Sequence, residues 1–126
     1  MAWDVRTLPP FAEWFKDLAD SEQASVRAYI MLLRDQGVDL GSPQSSAIKG
    51  AKHGLRELRI QSGGRPLRVL YAFDRNRAAI LILGGDKTGD KRWYDDKVPK
   101  ADKLFGDYLA SLPKPKAPAG KKGRKR

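Results

Sequence analysis

Three runs of apolar, β-branched and aromatic residues stand close together in the middle of the chain, at 55–61, 67–73 and 78–83. Turn-rich segments separate them, Ser62-Gly63-Gly64-Arg65-Pro66 and Asp74-Arg75-Asn76. This pattern predicts an antiparallel three-strand meander. In the first run, alternation puts Arg56, Leu58 and Ile60 on one face and Leu55, Glu57, Arg59 and Gln61 on the other. In the second, Arg68, Leu70 and Ala72 oppose Leu67, Val69, Tyr71 and Phe73. The third run is apolar at every position, which predicts a strand buried on both faces. Gly84-Gly85-Asp86 is expected to end it.

The flanks show a different period. Residues 3–8 alternate enough for a short strand, which Pro9-Pro10 ends. Phe11, Trp14, Phe15 and Leu18 then recur at helical spacing, as do Val26, Tyr29, Ile30 and Leu33. The two stripes predict a helical hairpin, the second helix beginning at Asp20 or Ser21 and stopping at Gly37. Residues 38–54 have weak periodicity and read as a long connection, with a turn of structure near 46–49. Residues 87–94 read as a polar loop. Pro99 suits the first turn of a last helix whose apolar side is Ala101, Leu104, Phe105, Tyr108, Leu109 and Leu112. One sheet face is expected to carry the hairpin and the other the last helix. Nothing in 113–126 can form a core, so it reads as a disordered basic tail behind a domain at 1–112.

Charge sharpens this picture. The net charge is +10 and it is not evenly spread. Residues 47–94 hold eleven Lys or Arg against four Asp or Glu, and residues 114–126 hold seven against none. A localised basic surface implies a polyanionic partner, most simply nucleic acid. There is no cysteine and only one histidine, His53, so neither disulfides, thiolate chemistry nor a zinc site is expected, and no cofactor is implied. The start lacks a signal peptide and no apolar run is long enough to span a membrane, so a cytoplasmic location is expected.

The chemistry that fits a basic meander without metal is RNA cleavage by the adjacent 2′-hydroxyl. Such a site needs cations at the phosphate, a base and a proton donor. Arg68 is held rigidly among apolar neighbours, and its planar fork matches two phosphate oxygens. Lys87, Lys91 and Arg92 add positive potential. Neighbouring cations are expected to lower the pKa of Tyr94 and favour it as a base or an oriented donor. Trp93 or Tyr94 could stack on a base. Lys52, His53, Arg56, Arg59 and Arg65 complete the expected RNA-contacting set. The plainer alternative for Arg68 is an ion pair with Glu57 or Asp74.

The segments Leu55-Arg56-Glu57-Leu58-Arg59-Ile60, Arg68-Val69-Leu70-Tyr71 and Leu81-Ile82-Leu83-Gly84-Gly85-Asp86-Lys87-Thr88 resemble the RelE/ParE superfamily of toxins, most closely its HigB-like, phage-derived branch. The resemblance spans roughly residues 3–112. It implies an α+β domain with a small antiparallel sheet, an N-terminal helical hairpin and a C-terminal helix. It implies the toxin of a type II toxin–antitoxin pair, a metal-independent, ribosome-dependent endoribonuclease that cuts mRNA. Its expected partners are a cognate helix-turn-helix antitoxin, the ribosome and mRNA. It matches Arg68 to the arginine at the scissile phosphate, Lys87 to the cation after the fourth strand and Tyr94 to the tyrosine beyond it. RelE carries strand-two lysines where this chain has Leu55 and Glu57, so Arg56 or Lys52 is expected to replace them. The other readings are a ParE-like toxin that binds DNA gyrase and a basic nucleic-acid-binding accessory protein.

Overall fold

The computed structural model describes residues 2–113; the expected basic tail lies almost wholly outside them. Strand β1 (Asp4–Thr7) leads into helices α1 (Pro9–Lys16) and α2 (Asp20–Gln36). A 3₁₀ turn, Gly37–Asp39, precedes β2 (Ser45–Ala47). The meander follows as β3 (Arg56–Ser62), β4 (Arg65–Phe73) and β5 (Ala78–Asp86), and helix α3 (Trp93–Ser111) closes the domain. The sheet order is β1-β5-β4-β3-β2.

The sheet is mixed, not wholly antiparallel. β1 pairs parallel with β5, from Asp4 opposite Ala78 to Thr7 opposite Leu81. This places β5 inside the sheet, which suits a strand with no polar face. The 38–54 connection contributes an edge strand: β2 pairs with β3, Ser46 opposite Glu57. Three residues without an apolar pattern give no periodic signal, so only the pairing reveals it.

Helices cover both faces. Phe11, Val26 and Leu33 from α1 and α2 pack on Leu58, Val69, Tyr71 and Leu81. Ala101 and Phe105 from α3 pack on Leu55, Leu70, Ala72, Ile80 and Ile82. The faces follow the alternation of β3 and β4. At its N-terminus α2 is fastened by Glu22, whose carboxylate accepts the Ala19 N–H at 3.2 Å. At its C-terminus Gly37 takes φ +55°, and its missing Cβ leaves room for the Trp3 ring.

A bulge changes the phase of β5. Leu70 lies opposite Leu83 but Tyr71 lies opposite Leu81, so Ile82 is an extra residue. Ile82 and Leu83 consequently both join the α3-side core. The strand then runs through Gly84-Gly85 to Asp86 and does not break there. The glycines are seats for two tryptophans. A Cβ on Gly84 would stand 2.3 Å from the Trp14 ring, and one on Gly85 would stand 2.7 Å from Trp93 Nε1.

Helix α3 starts at Trp93, six residues before Pro99, which therefore lies inside the helix. Buried Trp93 anchors the first turn against Gly85. Asp95 and Asp96 in that turn complement the positive end of the helix dipole. Pro99 removes only the donor that would bond the Asp95 carbonyl, near the exposed end of the helix. Further along, Asp102 accepts the backbone N–H groups of Lys52 at 2.7 Å and His53 at 3.2 Å. This one carboxylate pins the connection to α3. Asp102→Ala should cost about 1–2 kcal/mol and raise hydrogen-exchange rates selectively at the Lys52 and His53 amides. Unchanged exchange at those two amides would show that the loop is held by other contacts.

Candidate active site

The centre of the α3-covered face is polar. Glu57, only 4% exposed, projects from β3 under the first turn of α3. Burying a carboxylate is costly unless it is paired and hydrogen-bonded, and four elements supply its partners. The Tyr94 hydroxyl donates to Glu57 Oε1 at 2.6 Å. Ser46 Oγ donates to Oε2 at 3.1 Å. Arg68 Nε lies 3.5 Å from Oε1, and Arg59 Nη1 lies 3.7 Å from Oε2. Arg59 and Arg68 are directly opposite each other on β3 and β4. The cross-strand pair thus converges on one acid.

Arg68 is 5% exposed. Its Nε also donates to the Tyr94 oxygen at 3.3 Å, and Nη1 donates to the Leu67 carbonyl at 3.1 Å. The side chain borders a cavity of about 290 Å³ at the edge of β3, shared with Arg59, Gln61, Tyr29 and Pro43. Lys87 Nζ stands 5.6 Å from the centre of the Tyr94 ring. Arg59, Arg68, Lys87 and Tyr94 are therefore assembled at one place. Arg68 is the ion-pair partner of Glu57 and also lines an open cavity.

The Tyr94 hydroxyl does not behave as the surrounding cations suggest. Burial, then the hydrogen bond to Glu57, hold its pKa above the ordinary tyrosine value, against the opposing pull of Arg68. The expected lowering fails because burial and the hydrogen bond to the Glu57 carboxylate together favour the neutral phenol. Burial and the hydrogen bond to Asp74 likewise raise Tyr108. The sign for stability follows. An unfolded tyrosine ionises near pH 10, while the folded ones hold their protons to higher pH. Their contribution is intact below about pH 10 and is lost as pH rises through the folded values. Urea midpoints should fall between about pH 9 and about pH 11, and should fall less in Tyr108→Phe. An equal fall in that variant would remove Tyr108 as a cause.

The remaining expected residues separate. Arg56 lies on the α2-covered face and donates to Ser45 Oγ, the Tyr71 hydroxyl and the Leu40 carbonyl. It ties β3 to its surroundings and does not replace a strand-two lysine at the site, because the pleat turns it the other way. Trp93 is 2% exposed and buried on Gly85, so it offers no face to a base. Arg65 bridges Glu22 and Asp86 at the tip of the hairpin. Lys52 and His53 line a separate cavity of about 500 Å³ with Asp102 and Lys103, where the His53 ring packs edge-on against Phe105. Lys91 and Arg92 are exposed just before Tyr94. Glu57 and Ser46 were absent from the expected set. The signal for Glu57 was an acid on the strand face that the last helix covers. Among the described residues no three His, Asp or Glu side chains gather as a metal site.

Residues 13–106 match the family model described as phage-derived protein Gp49-like. The chain belongs to the Gp49-like family. Its relatives carry the HigB name. The putative toxin HigB3 of Mycobacterium tuberculosis is 43% identical over 109 residues, covering 85% of this chain and 94% of that protein. The putative toxin HigB2 of the same organism is 38% identical over 115 residues, covering 87% of this chain but 57% of that protein. Among solved structures, a double arginine-to-alanine mutant of free Escherichia coli RelE toxin superposes with a TM-score of 0.58 at 10% identity. That match covers 79% of this chain and 97% of RelE. The RelE–RelB complex of Pyrococcus horikoshii gives 0.52 at 14% identity, covering 69% and 97%. This Gp49-like chain is thus a relative of the HigB proteins and has the RelE fold.

Proposed function

We propose that this Gp49-like chain is the toxin of a type II toxin–antitoxin pair and cleaves ribosome-bound mRNA without a catalytic metal. The observation that carries this reading is the convergence of Arg59, Arg68 and Tyr94 on Glu57, with Lys87 over the Tyr94 ring. In such a site the two arginines hold the scissile phosphate at the edge of β3 and stabilise the charge that builds on its oxygens. Tyr94 lies within hydrogen-bond reach of Arg68, where it can act on the 2′-hydroxyl next to that phosphate. Lys91 and Arg92 flank the site and strengthen its attraction for RNA.

The rest of the proposal concerns partners. A basic surface in a cell full of RNA needs masking, and P. horikoshii RelE is seen in complex with RelB. A cognate antitoxin, a helix-turn-helix protein, serves this chain in the same way. The toxin domain is 1–112, and the basic tail at 113–126 adds sequence-independent affinity for the ribosome. No described helix is long and apolar enough to cross a membrane, and the proposed place of action is the cytoplasm. The test is expression in cells followed by mapping of new RNA 5′ ends. Ends within translated codons, absent when ribosomes are omitted from a purified reaction, support the reading. Growth arrest with no new RNA ends overturns it and points to a target such as gyrase.

A further inference from the structure

We infer that Glu57 is the terminal proton acceptor of the cleavage reaction, reached through the Tyr94 hydroxyl. The inference rests on the ribonuclease reading above and gives a chemical role to the residue that stands where RelE carries a strand-two lysine. Tyr94 donates its proton to Glu57 Oε1 at 2.6 Å, while its oxygen accepts from Arg68 Nε at 3.3 Å. A phenol so bound is already aligned to pass its proton inward as it takes another from outside.

Burial and the Glu57 charge work against a free tyrosinate. A proton arriving on the Tyr94 oxygen must therefore push the existing one onward, and Glu57 Oε1 is the atom that stands there to take it. The groups facing Glu57 are Ser46 from β2, Arg59 from β3, Arg68 from β4 and Tyr94 from α3. Lys87, beyond β5, stands over the Tyr94 ring. Within this set the carboxylate is the sole anion. Its two arginines keep the cluster net positive, so it coexists with a bound phosphate.

The step balances. The substrate 2′-hydroxyl gives its proton to the Tyr94 oxygen as Tyr94 gives its own to Glu57. The 2′-oxygen forms a bond to phosphorus, and the bond from phosphorus to the 5′-oxygen breaks. The leaving 5′-oxygen takes a proton from the Lys87 ammonium. The proton on Glu57 and the one lost from Lys87 then exchange through solvent. The products are a 2′,3′-cyclic phosphate and a 5′-hydroxyl, with no water, metal or redox partner consumed.

The experiment is single-turnover cleavage of an mRNA programmed on purified ribosomes, over about pH 6 to pH 8.5. Three proteins are compared: wild type, Glu57→Gln and Glu57→Asp. Glutamine keeps the shape and can still accept from Tyr94, but it cannot take a proton. Losing a general base typically costs about a hundredfold to ten-thousandfold. Glu57→Gln should fall within that range with ribosome binding unchanged, and Glu57→Asp should recover part of the rate. Wild type should be nearly flat with pH across the neutral range. A sole tyrosine base would instead make its rate climb about tenfold per pH unit toward the phenol value. That climb in wild type overturns the inference even if Glu57→Gln fails to fold. So does a Glu57→Gln rate equal to or above wild type, which would make Glu57 only a counter-ion that holds Arg68 back. No cleavage by wild type overturns the ribonuclease reading itself, and the inference with it.

Discussion

Arg68→Ala should lower single-turnover mRNA cleavage by about a hundredfold or more, the usual cost of removing a donor that stabilises charge in the transition state. Arg68 sits mid-strand, 5% exposed, between Leu67 and Val69 of the opposite core. It cannot swing aside, so its fork is presented to the edge cavity in one orientation. Lysine should not rescue it. Arg68 Nε serves Tyr94 and Glu57 while Nη1 serves the Leu67 carbonyl, and a single ammonium cannot hold those contacts and a phosphate together. The substitution also has a folding cost. Breaking a buried ion pair is typically worth about 3–5 kcal/mol, but Glu57 keeps Arg59, Ser46 and Tyr94. The lower end, about 3 kcal/mol, is expected for that reason. Rates must therefore be measured at a temperature where circular dichroism shows the variant folded. Near-wild-type cleavage by folded Arg68→Ala would remove the phosphate role from this residue.

Gly84→Ala should destabilise the domain by about 3 kcal/mol, the upper end of the usual cost of overpacking. The new Cβ would stand 2.3 Å from Trp14 Cε3 and 2.4 Å from Cζ3. Trp14 belongs to the core between α1 and the sheet, so its ring can retreat only by moving α1. Gly41→Ala is the control. Its Cβ would meet only the Asp39 carbonyl oxygen at 4.0 Å, so a change within about 0.5 kcal/mol is expected. Urea denaturation of both variants measures the contrast. The double variant Gly84→Ala, Trp14→Leu should lose less than the sum of its single changes, because the two residues share one space. Strict additivity would show that Gly84 is constrained by something other than the ring.

The sheet also shows why one acid organises the site. β3 and β4 are paired so that Glu57, Arg59 and Arg68 share a face, while Arg56 turns to the other core. Once α3 closes over that face, Glu57 is cut off from water. Its ionised form then requires the partners that also form the site, so stability and chemistry use the same contacts. A change at Glu57, Arg68 or Tyr94 is expected to disturb both, and only rate and unfolding measurements together separate them.

What the sequence determined by itself was local. Period-two alternation separated Leu58 and Ile60 from Leu55 and Glu57, because neighbouring side chains on a strand must point to opposite faces, while packing decided that the first pair meets the hairpin and the second the last helix. Helical spacing placed Phe11, Val26 and Leu33 in one core, and the unbroken apolar run at 78–83 marked an interior strand. Arg68, Lys87 and Tyr94 could be named before any geometry. What only the tertiary structure decided depends on residues far apart in the chain. β1 joins β5 in parallel, and the short β2 exists only through its partner. The extra residue at Ile82 reverses the facing of Gly84 and Gly85, so a Gly-Gly pair that reads as a break becomes the floor for Trp14 and Trp93. That seat in turn starts α3 at Trp93, well before Pro99. Arg56 and Trp93 left the candidate set for the same reason that Glu57 entered it. Burial is a property of what lies across a face, and a carboxylate buried there must gather every donor within reach.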